Sequence, residues 1–311
     1  MGFQQRNLRH RPVNGLHLRQ ACASAATGDG HVGMEIPVVR PETAGFQGHP
    51  EGLDQSVEAG RCPRRREPQD TGSAPPSRPV DHQLEGAGYL RGAWLRSPLD
   101  LSMAFASEQA IDDLAHRLGQ DPYLFRKRNI ADDRWLGVLD AVAGASNWTP
   151  RVAASGDMSG DVITGRGIGL GTHLAGWGGA VAEVEVNRAT GQVRILKLWG
   201  AIDAGLAVNP GNVEAQIMGQ MVQATGRMLY EETTFDETGV TSLDWSSYPI
   251  ARFEDTPEIV PIVVQRVTEP SSGAGEEAMA AAAAAIGNAF FDATGKRMAT
   301  FPMTPERVLA V

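Results

Sequence analysis

The sequence is poor in cysteine and in long apolar runs, and each shortage excludes a class of protein. Only two of the 311 residues, Cys22 and Cys62, are cysteines. An iron–sulfur cluster takes four cysteine ligands, and two cysteines alone make neither a structural zinc site nor a disulfide framework. The longest apolar run, residues 278–286, is about half as long as a membrane-spanning helix. We therefore expect a soluble chain without a redox cluster of its own.

Positive charge is also in short supply. The chain has 28 Lys and Arg against 37 Asp and Glu, a formal net charge of -9. Nucleic acids and anionic membrane surfaces bind clustered positive charge, so neither is an expected partner. The N-terminus lacks the apolar segment of a secretory signal peptide, which favours a cytoplasmic location and otherwise leaves the compartment unknown.

Residues 1–85 differ in composition from the rest of the chain. They contain no Lys, Trp or Tyr, yet hold 9 of the 19 prolines and 5 of the 7 histidines. No helical or strand periodicity is present between Arg11 and Glu85, so we predict that the segment is disordered. The other explanation is a non-native leader, such as the product of a shifted reading frame in GC-rich DNA. The spacing of the histidines and cysteines matches no metal-ligand motif, and no metal ligand is assigned. The segment remains unassigned, and the predicted folded domain is 86–311.

Residues 86–311 show the periodicities of an ordinary globular domain. Apolar spacing, capping residues and glycine stops predict helices and strands. The helices are predicted at 103–118, 121–129, 134–146, 209–230 and 277–294, and the strands at 165–174, 180–186, 193–201 and 258–267. Because these elements do not follow a βαβ alternation, the predicted class is α+β.

Glycines occupy alternate positions from Gly165 to Gly171 in the first predicted strand. A dinucleotide-binding loop needs G-x-G-x-x-G between a strand and a helix, and this run has neither the spacing nor the following helix. Glycine inside a strand often marks a close approach of another backbone or a ligand, and we favour that interpretation.

A carboxylate follows a pair of glycines at the start of the last predicted helix. Gly273 and Gly275 allow a tight bend before Glu276 and Glu277. The ordinary explanation is an acid favoured by the free N–H groups and dipole of a helix N-terminus. The functional alternative is a general base held by a rigid element at a pocket.

A second polar feature lies on the helix predicted after Pro210. Gln216, Gln220 and Gln223 form one stripe on the helix, with Gly219 beside them. The stripe is either a solvated face or the lining of a polar cofactor site, where Gly219 permits close approach. Arg96 is equally ambiguous when taken alone.

Eight stretches of residues 86–311 occur in an order that resembles one family. They are Trp94-Leu-Arg-Ser-Pro, Ala106-Ser-Glu-Gln-Ala-Ile-Asp-Asp-Leu-Ala, Asp121-Pro-Tyr-Leu-Phe-Arg-Lys-Arg-Asn, Asp203-Ala-Gly-Leu-Ala-Val-Asn-Pro, Gln216-Ile-Met-Gly, Gly273-Ala-Gly-Glu, Asn288-Ala-Phe-Phe-Asp-Ala-Thr-Gly and Pro302-Met-Thr-Pro-Glu-Arg-Val. Together they resemble the C-terminal part of the molybdenum-cofactor-binding large subunit of the xanthine dehydrogenase/aldehyde oxidase family, in its bacterial form with a separate iron–sulfur subunit.

The resemblance implies a fold, a reaction and roles for particular residues. The fold is the mixed helix/sheet molybdopterin-binding domain of this family. Glu276 matches the general base beside the molybdenum, Gln216 a glutamine close to the cofactor, and Arg96 an arginine loop that approaches the metal. Gly273, Gly275 and Gly219 belong to the same cofactor-binding motifs. The implied reaction oxidises an aldehyde or an N-heterocycle with oxygen derived from water.

The cofactor and partners follow from the same resemblance. The implied cofactor is molybdenum-molybdopterin in its cytosine dinucleotide form. Electrons are expected to pass to a separate [2Fe–2S] subunit, with a flavin or cytochrome subunit as a further partner.

The sequence also departs from the family pattern. Glu277 stands where proline is common, and repulsion between Glu276 and Glu277 would raise one pKa if both were buried. The upstream part of the family's subunit is not recognisable in residues 1–85. The alternative to an enzyme subunit is therefore a catalytically inactive truncated fragment that acts at most as a subunit-assembly module.

Overall fold

The computed structural model describes residues 95–152 and 160–311. The predictions made for residues 1–85, and the tryptophan of the Trp94 stretch, lie outside the described residues. Within the described ranges, no helix combines the length and the hydropathy that crossing a bilayer requires.

The structure confirms the predicted helices and strands to within a few residues at their ends. The helices are α1 (Asp100–Arg117), α2 (Pro122–Asn129), α3 (Asp133–Ala145), α4 (Pro210–Leu229), α5 (Glu277–Thr294) and α6 (Pro305–Leu309). The strands are β1 (Val162–His173), β2 (Gly176–Asn187), β3 (Val193–Asp203), β4 (Phe235–Asp236), β5 (Gly239–Val240) and β6 (Glu258–Val263), and a 3₁₀ turn covers Phe253–Asp255.

Side-chain caps and glycine explain where several of these helices begin and end. Asp121 accepts from the N–H of Leu124 at the start of α2, and Asn209 accepts from the N–H of Asn212 at the start of α4. Both caps precede a proline, whose missing N–H needs no partner in the first turn. Gly295 ends α5 in the left-handed conformation at φ 69°.

A four-stranded sheet in the order β1-β2-β3-β6 forms the centre of the fold. The first three strands are antiparallel neighbours, and β6 pairs parallel to β3. The parallel pair requires a crossover connection, which contains α4 and adds one βαβ unit to an otherwise α+β arrangement. The helix that carries the glutamine stripe is therefore part of the connection between β3 and β6, two neighbouring strands at one edge of the sheet.

The glycines of β1 pack directly against the backbone of α5. A Cβ added at Gly167 would overlap the backbone of Ala285 and Ala289, and one at Gly165 would overlap Ala289 and Ala293. The helix presents alanines that are fully buried from Ala278 to Ala285. This contact confirms that the alternating glycines mark close backbone approach, and it brings Glu276 to the end of β1.

A buried aspartate at the end of β3 joins α3 to the segment after β6 that leads to Glu276. Asp203 is fully buried and contacts Arg134 at 2.6 Å and Arg266 at 2.5 Å. Burial alone would raise the pKa of Asp203, but the hydrogen bonds from Arg134, the N–H of Gly205 and Arg266 outweigh it and hold the pKa below its usual range. The N–H of Ser272 donates to the carbonyl of Ala204, which links this corner to the glycine bend.

Replacing Asp203 by Asn is expected to lower the free energy of unfolding by about 2 kcal/mol at neutral pH, because two arginines lose their counter-charge in a partly screened site. Because the folded pKa is depressed, the stabilisation is present above the unfolded pKa and is lost as the pH falls through the folded pKa. Denaturant unfolding at several pH values measures this. Asp113→Asn, at a more exposed pair with Arg117, is the matched control. Equal losses for the two variants at neutral pH would contradict the assignment.

Candidate active site

The guanidinium of Arg96 joins three segments that are far apart in sequence. Its Nε donates to the carbonyl oxygen of Gly275 at 2.5 Å. Its Nη1 donates to Gln223 at 2.8 Å and its Nη2 to Gln216 at 2.6 Å. Arg96 therefore ties the glycine bend before α5 to the exposed side of the glutamine stripe on α4.

The glutamine stripe has two functions in the structure. Gln216 and Gln223 are exposed and accept from Arg96, whereas Gln220 is fully buried. Gln220 donates to the carbonyl of Ala274 at 2.9 Å and accepts from the N–H of Met279 at 3.1 Å. The stripe is thus not a plain solvated face, because Gln220 fixes the start of α5 against α4.

The glycines of the site mark open space rather than strained backbone. Neither Gly273 nor Gly275 has a positive φ, so the bend before α5 does not use the backbone conformation that only glycine adopts easily. A Cβ added at Gly275 would meet no atom of the described residues within 4 Å, and one at Gly273 would come no closer than 3.6 Å to Glu277. At Gly219, the atom that approaches is Nη1 of Arg96, 3.4 Å from an added Cβ.

Glu276 lies at the N-terminus of α5 and is partly buried, with 28% of its side chain exposed. Its Oε2 is buried and lies 3.0 Å from Nε2 of His173, yet it has no hydrogen-bond partner among the described residues. The two findings agree if the contact is electrostatic and the N–H is poorly aligned with Oε2. The other nitrogen of His173 lies 2.7 Å from Oδ2 of Asp100.

Sequence reasoning missed His173 and Asp100. They are separated by 73 positions, and no motif joins them. The only local signal is that His173 ends the glycine-rich strand, which the packing of β1 on α5 carries to Glu276.

The second carboxyl of the pair, Glu277, is buried. Its Oε2 accepts from the N–H of Glu276 at 2.9 Å. Burial is the main cause that raises the pKa of Glu277, and the charge of Glu276 adds to it in smaller measure. The predicted mutual repulsion is therefore present, but it is secondary to burial.

A molybdopterin cofactor-binding domain model matches residues 139–257 of the chain. That stretch contains the sheet's first three strands and α4, with Gln216 and Gly219. The chain belongs to the xanthine dehydrogenase/aldehyde oxidase family. Arg96, Gly273, Gly275 and Glu276 lie outside the matched stretch, so this match says nothing about them.

Relatives of this family match most of the described domain. The chain is 38% identical over 230 residues to a nicotinate dehydrogenase subunit from Pseudomonas putida, covering 71% of this chain and 19% of that protein. It is 28% identical to the beta subunit of isoquinoline 1-oxidoreductase from Brevundimonas diminuta, covering 70% of this chain and 26% of that protein. The chain thus spans about a fifth to a quarter of the length of these two relatives.

A solved structure agrees with the fold. Aldehyde oxidoreductase from Desulfovibrio desulfuricans matches with a TM-score of 0.61 and 17% identity, covering 70% of this chain and 41% of that one. The mixed helix and sheet architecture is that of the molybdopterin-binding domains of this family.

The polar groups of the site fit a cofactor of the kind that the family binds. Among the described residues, hydrogen bonds take three of the five N–H donors of Arg96, and Gln216 uses its oxygen while its amide N–H groups make no bond there. These donors and the open space beside Gly275 suit the oxygen atoms of an anionic pterin. Across residues 95–152 and 160–311, no cluster of three His, Cys, Asp or Glu side chains is placed to hold a metal ion directly.

Proposed function

We propose that the domain formed by residues 86–311 supplies one wall of the molybdenum-cofactor site in a molybdenum hydroxylase. The enzyme would oxidise an aldehyde or an N-heterocycle, with Glu276 as general base. The observation that supports the proposal most is the set of three hydrogen bonds made by Arg96. They join Gln216 and Gln223 to the carbonyl of Gly275, the residue immediately before Glu276. A solvated helix face and an unrelated helix N-terminus would have no reason to meet in this way.

Each residue has a distinct task in the proposed site. Gln216 and the remaining N–H donors of Arg96 would bind the cofactor, and Arg96 also holds the bend in place. Glu276 would accept a proton from the group that attacks the substrate, since a partly buried carboxylate on a rigid helix is suited to general base catalysis. When bound, the cofactor supplies the oxidation chemistry. The proposed form is the cytosine dinucleotide, with electrons leaving to a [2Fe–2S] subunit and, beyond it, to a flavin or cytochrome subunit.

The molybdenum and pterin content of the purified protein tests this function. The 311-residue chain is co-expressed with an iron–sulfur subunit and purified for elemental analysis. We expect near-stoichiometric molybdenum in the wild type and less than about a tenth of it in Arg96→Ala, because that variant loses the contacts between α4 and the glycine bend. Arg117→Ala, which removes an exposed pair with Asp113, is the matched control and should retain the metal.

The alternative, an inactive assembly module, has a different outcome. Such a chain would associate with the iron–sulfur partner, yet neither the wild type nor the Arg96→Ala variant would contain molybdenum. That result would overturn the proposed function.

A further inference from the structure

We propose that His173, held in place by Asp100, is a positioning residue that orients Glu276 and places a positive charge beside its carboxylate. The inference rests on the proposed function, because it gives Glu276 a partner in its task as base. Neither the family match nor the motifs of the sequence assign a role to His173 or Asp100.

The geometry is a chain of three side chains from three elements. Asp100 begins α1, His173 ends β1, and Glu276 precedes the first residue of α5. The Nδ1 of His173 lies 2.7 Å from Asp100 and its Nε2 lies 3.0 Å from Glu276. With one ring nitrogen fixed by a carboxylate, the imidazole presents its other nitrogen to Glu276 in one orientation.

The charges that face this imidazole favour its protonated form. Asp100 faces it from α1, and Glu276 and Glu277 face it from the start of α5. The two glutamates also interact with the positive charge of Arg96, which is itself close enough to Arg227 for their charges to interact. The hydrogen bond with Asp100 is the largest cause of the raised pKa of His173; burial opposes it, and the charges of Glu276, Asp100 and Glu277 add to it. The side chains of Asp100, His173, Glu276 and Glu277 are all partly or fully removed from water. The interactions among them are therefore only partly screened.

The effect between His173 and Glu276 is reciprocal. If the carboxylate of Glu276 favours the imidazolium, the imidazolium favours the carboxylate by the same free energy. This matters because Glu276 also contacts a second acidic residue, the buried Glu277. The positive charge of His173 thus offsets the negative charge of Glu277, which stands where proline is common in the family.

The first test titrates His173 by NMR in the full 311-residue chain, without cofactor. Histidine side chains are isotopically labelled, and the His173 signal is identified by its loss in His173→Gln. We expect the pKa of His173 to lie above the usual value of about 6.5 and to fall in both Glu276→Gln and Asp100→Asn. His116, which contacts Asp112 at 3.4 Å, is the internal control and should titrate unchanged in these variants. An unchanged His173 pKa in Glu276→Gln would overturn the proposal.

The second test uses the pH dependence of kcat/KM in the molybdenum-loaded complex. His173→Gln keeps a hydrogen-bond donor but removes the charge. The positive charge beside the proposed base is then lost, and the acid limb of the profile should move to higher pH. A structural role alone would lower the rate by the same factor at every pH, and that result would contradict the inference.

The two tests separate this inference from the proposed function. If molybdenum is absent or Glu276→Gln remains fully active, the proposed function fails, whereas the NMR titration still reports on the contact. If Glu276→Gln is inactive and the profile of His173→Gln is merely scaled, the function stands and the role of His173 is rejected. Circular dichroism confirms that each variant is folded, and Asp100→Asn provides an independent route if His173→Gln is not.

Discussion

Replacing Glu276 by Gln in the molybdenum-loaded complex is expected to lower turnover by a factor of about 10² or more, the scale of general base catalysis. Glutamine has nearly the same shape as glutamate, but it cannot accept the proton. Because Arg96 donates to the carbonyl of Gly275, its hydrogen bond to the bend remains. The molybdenum content should therefore stay at the wild-type level, which separates lost chemistry from lost cofactor.

The control for this prediction is another glutamate, which lies away from the site. Glu258→Gln removes an exposed carboxylate that pairs with Lys197, and it should leave turnover unchanged. Single-turnover rates are measured for the wild type and both variants, together with elemental analysis. Equal turnover in the wild type and Glu276→Gln would exclude Glu276 as the base.

The largest effect on stability is expected at a glycine of β1. Gly167→Ala would place a methyl group into the backbone of α5 at Ala285 and Ala289, so the strand and helix would have to separate. Overpacking of this kind costs about 3 kcal/mol, and more where backbone rather than a flexible side chain must move. Because α5 carries Glu276 at its N-terminus, the separation would also disturb the site.

Thermal or denaturant unfolding measures the effect of Gly167→Ala. Gly144→Ala is the matched control, since a Cβ there meets no atom within 4 Å in the part of the chain that the structure describes, and alanine is the better helix former by about 1 kcal/mol. The control should be at least as stable as the wild type. If Gly167→Ala unfolded at the same denaturant concentration as the wild type, the close packing of β1 on α5 would be disproved.

The helices and strands could be predicted from the sequence because caps, glycine stops and apolar spacing each act within a few residues. Asp121 and Asn209, each followed by proline, determine two helix starts, and Gly295 determines one helix end. The alternating glycines of β1 indicated a backbone neighbour. They could not indicate which one, since the contact with α5 joins residues more than 100 positions apart.

The candidate site was predictable only in part. The family resemblance brought Gln216, Arg96 and Glu276 to attention, but nothing local shows that Arg96 bonds to Gly275 across 179 positions. Nor does spacing distinguish the buried Gln220 from its exposed neighbours Gln216 and Gln223, because that depends on where the bend before α5 lies. His173 and Asp100 were missed for the same reason, as their meeting depends on the packing of β1 and α1 around α5.

The most direct measurement is a crystal structure of the molybdenum-loaded complex. The proposed site predicts that the cofactor occupies the open space beside Gly275, within reach of Arg96 and Gln216, and that the carboxylate of Glu276 faces the metal. A cofactor bound elsewhere, with Glu276 turned toward bulk solvent, would contradict it.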